Sequence, residues 1–278
     1  MTTLTITQFM QQEQEQTQAS GQARDYISAS RLSLWAKCPH AFAKRYIEGI
    51  ISPPSPAQFV GRVVHNVIGY AYRLRSVGEI CPIECLPQFI ADAWKLAVEM
   101  EPCYFDDESQ EEKSRYQVLD LVTAYLNATP IQNEVPVAVE RKFEVPLITP
   151  SGEDLGIPLV GIVDLILREG NDNVIIDFKT SSTASISDLA HELQMTAYAY
   201  LVREVLGQQE SYCEIRQLVK TKTPKVQTHR FPRRTDGHFN RFFALVKEYI
   251  DALDRKVFNY RPSWTCGTMC EHYISCAC

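Results

Sequence analysis

GIVDLIL at residues 161–167 and VIIDFKT at residues 174–180 decide the fold, because each is an apolar strand run broken by charge. Asp164 interrupts the first, and Asp177 and Lys179 interrupt the second two positions apart. Side chains at i and i+2 share a strand face, so Asp177 and Lys179 project together. Burying such charges is costly unless they pair with each other or with a metal. A structural ion pair satisfies Asp177 and Lys179 but leaves Asp164 without a reason. Two carboxylates and a lysine on neighbouring strands supply what phosphodiester hydrolysis requires. They offer hard oxygen ligands for Mg2+ or Mn2+, and a cation beside the attacking water and the developing charge.

Outward from these strands, the period of the apolar pattern alternates between helix and strand. Residues 58–75 place Val60, Val63, Val64, Val67, Ile68 and Ala71 at helical spacing on an amphipathic helix. Gly61 and His65 lie four apart on that helix, and a glycine there lets it approach the sheet closely enough for the imidazole to reach a metal. Two further helical patterns follow near 87–100 and 110–127. Val137, Val139, Phe143, Val145 and Leu147 then alternate in a strand whose opposite face holds Ala138, Glu140 and Lys142. Beyond the charged strands come a helix over about 188–206, strands near 212–220 and 226–232, and a helix over about 237–256. Gln194 and Tyr198 form an i, i+4 pair on the first of these helices. Upstream, Ser28 and Ser30 are candidate caps for a short helix that Pro39 interrupts beside Cys38. Residues 1–24 are rich in Gln and Thr and poor in apolar groups, which predicts a disordered tail with nothing catalytic in it.

A chain of 278 residues with 45% hydrophobic composition can bury one substantial core with a smaller helical part attached. There is no run of about 18 apolar residues and no basic-then-apolar N-terminus, so a cytoplasmic protein without a membrane span is expected. The net charge of -6 means that nucleic acid must be met by a local basic surface rather than by the whole-molecule field. Arg216, Lys220, Lys222, Lys225, Arg230, Arg233 and Arg234 lie in a stretch with no acidic residue. It reads either as a solvated strand pair or as a phosphate-binding strip.

Nine cysteines without a secretory signal argue for reduced thiols or metal ligation rather than a disulfide framework. Cys266, Cys270 and Cys276 give C-x3-C-x5-C near the C-terminus, and Cys38 lies far upstream. Four thiolates hold zinc or an iron-sulfur cluster, and His272 is an alternative fourth ligand that favours zinc. Cys81, Cys85, Cys103 and Cys213 read as ordinary thiols.

The order GIVD, IIDFK and QMTAY resembles the RecB-like branch of the PD-(D/E)XK nuclease superfamily, over residues from about 28 to the end. The resemblance implies an α/β, restriction-endonuclease-like core with a mixed central sheet flanked by helices. That core would span 25–258, with a helical insertion at about 78–130. It implies that His65, Asp164 and Asp177 ligate Mg2+ or Mn2+, with the Phe178 carbonyl as a further ligand, and that Lys179 acts at the nucleophilic water. Gln194 would orient the lysine or a water at the metal, and Tyr198 would lie near the DNA backbone. Glu140 resembles the family's additional glutamate, a surface glutamate being the other reading.

Members similar to the AddB nuclease domain and the CRISPR-adaptation nuclease carry one cysteine before the core and three after it, holding a 4Fe-4S cluster. Cys38, Cys266, Cys270 and Cys276 match that plan, making 259–278 a cysteine-rich tail that closes a cluster with Cys38. The first spacing is one residue longer than the usual C-x2-C, Cys278 competes with Cys276, and structural Zn2+ remains the alternative. The expected activity is metal-dependent cleavage of DNA, single-stranded or at free ends, in repair, recombination or CRISPR adaptation with partner proteins. The competing expectation is a non-catalytic DNA-end binding or scaffold subunit.

Overall fold

The two charged strands sit side by side within a five-stranded mixed sheet, in a computed structural model that describes residues 5–17, 23–185, 188–263 and 266–277. The sheet runs in the order β1 (Pro136–Ile148), β2 (Asp154–Glu169), β3 (Asp172–Ser181), β4 (Glu210–Val219) and β5 (Lys225–Pro232). Neighbours are antiparallel except β3 and β4, which run parallel because α7 (Asp188–Leu206) crosses over between them.

Each sheet face has its own apolar layer. Ile175, Ile215 and Phe143 pack with α2 (Ala29–Lys37), α3 (Pro39–Tyr46), α7 and α8 (Asp236–Arg255). Val174, Ile176, Phe178 and Leu218 pack with α4 (Pro56–Ser76), α5 (Leu86–Met100) and α6 (Glu108–Ala128). Ser28 caps α2 by accepting from the Arg31 N–H, and Pro39 opens α3, so the break between the two helices falls at Cys38. The chain closes with two short helices, α9 (Cys266–Met269) and α10 (Tyr273–Ala277). Among the described residues no helix is long and apolar enough to cross a membrane.

Two expectations change. The first is the disordered tail over 1–24, because Ile6–Thr17 form a helix, α1. Thr5 and Gln8 cap it reciprocally, and its Gln, Glu and Met residues are good helix formers. Ile6, Phe9 and Met10 recur at i, i+3 and i+4 and are buried against the α4–α5 layer.

The second change concerns strand β1, whose alternation does not run unbroken. Ala138 joins the same core layer as Phe143, Val145 and Leu147, while Val139 packs on the opposite layer. The facing reverses around Glu140, whose backbone is left-handed at φ 43. Strand β2 reverses too, since Val163 shares a layer with Ile166 rather than with Leu165 and Leu167.

In the basic stretch, read either as a solvated strand pair or as a phosphate-binding strip, several arginines are paired within the fold. Arg216 is 8% exposed and pairs with Glu134 and Glu214, each at 2.8 Å. Arg230 pairs with Glu214 at 2.9 Å, and Arg233 and Arg234 donate to the backbone carbonyls of Glu210 and Pro232. The Lys220 ammonium donates to the Ala57 carbonyl, while Lys222, Lys225, Arg230 and Arg233 are exposed.

Candidate active site

Strands β2 and β3 pair from Glu169↔Asp172 as far as Leu165↔Ile176 and then part. Asp164 and Asp177 are the next residues on each side, so the carboxylates line the opening of a fork in the sheet. Residues Val139↔Leu165 and Arg141↔Val163 pair on either side of Glu140, which therefore stands opposite Asp164 on the neighbouring strand. Like charges placed opposite one another on antiparallel strands repel. The left-handed backbone at Glu140 adds strain at the same point.

Helix α4 reaches the fork because Gly61 has no side chain. A Cβ there would stand 2.8 Å from Thr180 Oγ1 at the end of β3. One turn on, His65 Nδ1 lies 3.4 Å from Asp164 Oδ2. Ligand atoms of His65, Glu140 and Asp164 all fall within 4.8 Å of one another. Asp164 Oδ2 also accepts the Phe178 backbone N–H at 2.8 Å. Asp177 is held by two other side chains. Lys179 Nζ lies 2.7 Å from its Oδ2, and Gln194 Nε2 donates to its Oδ1 at 2.9 Å. The same Gln194 nitrogen is 2.9 Å from the Tyr198 hydroxyl.

Burial sets the electrostatics. Burial, reinforced by Lys179, holds the His65 imidazole down to about 4, so the ring is neutral and its lone pair available. Burial raises the carboxyls of Asp164 and Asp177, opposed in each case by the Lys179 ammonium. Glu140 lies well above the carboxylate range, through burial first and then through Asp164, Glu13 and Asp177. Burial alone would lower Lys179, but Asp177 and Asp164 outweigh it and raise the group, keeping it charged. A single lysine thus faces a group of buried carboxyls.

The structure brings His65, Asp164, Asp177, Phe178, Lys179, Gln194 and Tyr198 to this opening, and it adds Glu140 to the ligand-forming group. It also adds Glu13, from the stretch expected to be disordered. Burial, then Asp164, pushes the Glu13 carboxyl up to about 9. A sequence signal existed, since Ile6, Phe9, Met10 and Glu13 are spaced as one helix face with an acid in the fourth place.

Four of the cysteines lie around one cavity. Cys38, Cys266, Cys270 and Cys276 line one cavity of about 1070 Å3, together with His272. The Cys276 thiol is raised by burial and then by Cys38, Cys270 and Cys266, but among the described residues these sulfurs are not gathered within ligand distance of one another. The Ser263 backbone N–H donates to Cys266 Sγ at 3.3 Å. Cys278 lies outside the described residues. Cys213 is buried in the core, away from this group.

Comparison with known proteins adds four findings. A family profile described as the PD-(D/E)XK nuclease superfamily matches residues 26–277. The crystal structure of a candidate exonuclease from Eubacterium rectale superposes with a TM-score of 0.58 at 12% identity, covering 91% of this chain and 88% of that one. The crystal structure of SSO0001 superposes with a TM-score of 0.47 at 14% identity, covering 98% and 95%. No curated protein matches the sequence.

Proposed function

The chain belongs to the PD-(D/E)XK nuclease superfamily, and from that premise we propose that it is a divalent-metal-dependent deoxyribonuclease acting on single-stranded DNA or DNA ends. The observation that carries the reading is the convergence of His65, Glu140 and Asp164 at the strand fork, with Asp177 and Lys179 across the opening. Buried carboxyls facing one another with one lysine between them fit a hard divalent cation such as Mg2+ or Mn2+. His65, Asp164 and Asp177 would hold it, with Glu140 and the Phe178 carbonyl as further oxygen donors.

Such an ion, when bound, neutralises the phosphate and makes water a better nucleophile. Lys179, held at 2.7 Å by Asp177 and with its side chain 31% exposed, reaches from the wall of the fork toward entering substrate. There its ammonium meets the attacking water and the charge that develops on phosphate oxygen. Gln194 fixes Asp177 from the side opposite Lys179, so the carboxylate is oriented before substrate arrives. Asp164 is held likewise by the Phe178 N–H.

End-labelled single- and double-stranded DNA tests this with Mg2+ or Mn2+ and with EDTA. The wild type should cut, EDTA should stop it, and Asp177→Asn and Lys179→Met should each lose roughly a hundredfold or more. EDTA-sensitive cutting retained by both variants would remove the assignment. A chain that shifts DNA without ever cutting it would establish the binding-module reading instead. Feeble cutting by the isolated chain, restored by a partner, would point to work inside a repair, recombination or CRISPR-adaptation complex.

We also propose that Cys38, Cys266, Cys270 and Cys276 hold a 4Fe-4S cluster. The shared cavity supports this, and bound there the cluster would tie the α2–α3 junction to the C-terminal helices. His272, which lines the same cavity, favours zinc as a second reading. Purification without oxygen followed by iron and zinc assay separates the two.

A further inference from the structure

Phe178 stands between Asp177 and Lys179 on β3 and is fully buried, yet the proposed reaction uses only its backbone. Past the last pair of β2 with β3, its N–H is taken up by Asp164 Oδ2 at 2.8 Å. Its ring meets the His65 ring edge to face, with centroids 5.9 Å apart at 87°. Asp177 and Lys179 through the chain, Asp164 through the N–H and His65 through the ring are thus all placed with respect to this one residue.

Two tyrosines hold the same ring. Tyr72 of α4 stacks with it at 6.1 Å and 27°, and Tyr125 of α6 meets it edge to face at 5.5 Å and 86°. Both tyrosines are fully buried, and a buried hydroxyl needs a partner. Arg216, aligned with Phe178 on the neighbouring strand β4, provides it. Its Nη1 donates to the Tyr72 hydroxyl at 2.7 Å and to the Tyr125 hydroxyl at 2.8 Å. Its other nitrogens donate to Glu134 Oε1 and Glu214 Oε1, each at 2.8 Å. Tyr72 also donates to Glu134, and the two hydroxyls lie 2.7 Å apart. Core filling alone requires none of this, since phenylalanines would occupy nearly the same volume without an arginine brought inside. What the charged group adds is direction. A planar guanidinium fork fixes where both hydroxyls point, and with them the tilt of both rings against Phe178.

We propose that Arg216 and Glu134, acting through Tyr72 and Tyr125, are positioning residues for the cutting reaction. They lock the Phe178 ring and so set the spacing of His65, Asp164, Asp177 and Lys179. The inference rests on the nuclease reading given above and deepens it, because a small misplacement of reacting groups costs turnover more than it costs substrate binding.

Tyr72→Phe/Tyr125→Phe keeps both rings and removes both hydroxyls, leaving Arg216 paired with Glu134 and Glu214. Val246→Ala, in the apolar layer on the other face of the sheet, is the control that loosens the core without touching the lock. Cleavage of labelled DNA in Mn2+ gives kcat and KM, and NMR hydrogen exchange of the full chain reads the Phe178 amide. The double variant should lose roughly tenfold or more in kcat with KM within about twofold of wild type. Its Phe178 amide should exchange roughly tenfold faster. Tyr125→Phe alone, a milder change should the double variant not fold, should show the same split at roughly threefold. Val246→Ala should leave kcat unchanged. A double variant, or Tyr125→Phe in its place, with wild-type kcat and wild-type Phe178 exchange would overturn the inference. So would a fall in kcat that Val246→Ala reproduces, or a change confined to KM. A wild type that cuts no DNA removes the nuclease reading, and the positioning role with it.

Discussion

His65 and the carboxyls around it titrate in opposite senses. The imidazole is held down to about 4, so folded protein binds fewer protons there than unfolded protein does. Its contribution to stability is full above the unfolded value and is lost as pH falls through that value toward 4. The carboxyls of Glu140, Asp164 and Asp177 are raised by burial, so their contribution is full at low pH and is lost as pH rises through their folded values. Metal-free protein therefore becomes less stable toward alkaline pH at this site, and a divalent ion that replaces the protons repairs the loss. The rise in Tm produced by Mn2+ should be larger at about pH 8 than at about pH 5, and an equal rise at both would show that these groups do not meet the ion. Asp164, Asp177 and Lys179 were readable from sequence because charge inside an apolar strand run demands a partner. Glu140 was harder to read, because strict alternation assigned its face and the left-handed backbone at that residue breaks the alternation.

At the scale of elements, the close approach of α4 to β3 decides whether His65 reaches the fork. Gly61→Ala would put a methyl group 2.8 Å from Thr180 Oγ1, pushing the helix outward and His65 with it. Small displacements of catalytic groups are expensive, so Gly61→Ala should lower DNA cleavage by roughly ten- to a hundredfold with the fold retained. Adding Thr180→Ala removes the obstructing oxygen and should recover much of the loss in the same cleavage assay. A double variant no better than Gly61→Ala would place the defect elsewhere. The glycine and the histidine were legible together at i, i+4, whereas α1 was hidden. Its three apolar anchors lie among Gln and Glu residues that dominate composition, so a count of residue types reads disorder where spacing shows a helix face. The basic stretch was left open between a solvated strand pair and a phosphate-binding strip. Its arginines have no acid within the stretch, but the fold brings Glu134, Glu210 and Glu214 to them.

At the scale of the whole molecule, the cavity lined by Cys38 and the three C-terminal cysteines joins the start of one helical layer to the end of the chain. A group bound by all four thiols closes a loop over most of the sequence, and such closure restricts the unfolded chain strongly. Cys38→Ala should lower the iron or zinc content and lower Tm by several degrees, while cleavage per folded molecule changes little. A normal metal content in that variant would exclude Cys38 from the ligand set. The sequence displayed all four cysteines, but no reading of spacing could place Cys38 beside residues more than two hundred positions away without the fold or a family resemblance.

The sheet has one more consequence. Strands β1, β2 and β3 form an antiparallel meander of two consecutive hairpins, whereas β4 joins only after the α7 crossover. Local hairpins close faster than crossovers. Glu140, Asp164 and Asp177 all lie on the meander, so if it forms first their mutual repulsion is met in the barrier itself. A divalent ion should then act on the rate of folding as well as on the rate of unfolding. Stopped-flow refolding in Mn2+ should be faster than in EDTA, and Asp164→Asn should narrow the difference. An ion that slowed unfolding and left refolding untouched would show that the carboxylates gather only after the barrier has been crossed.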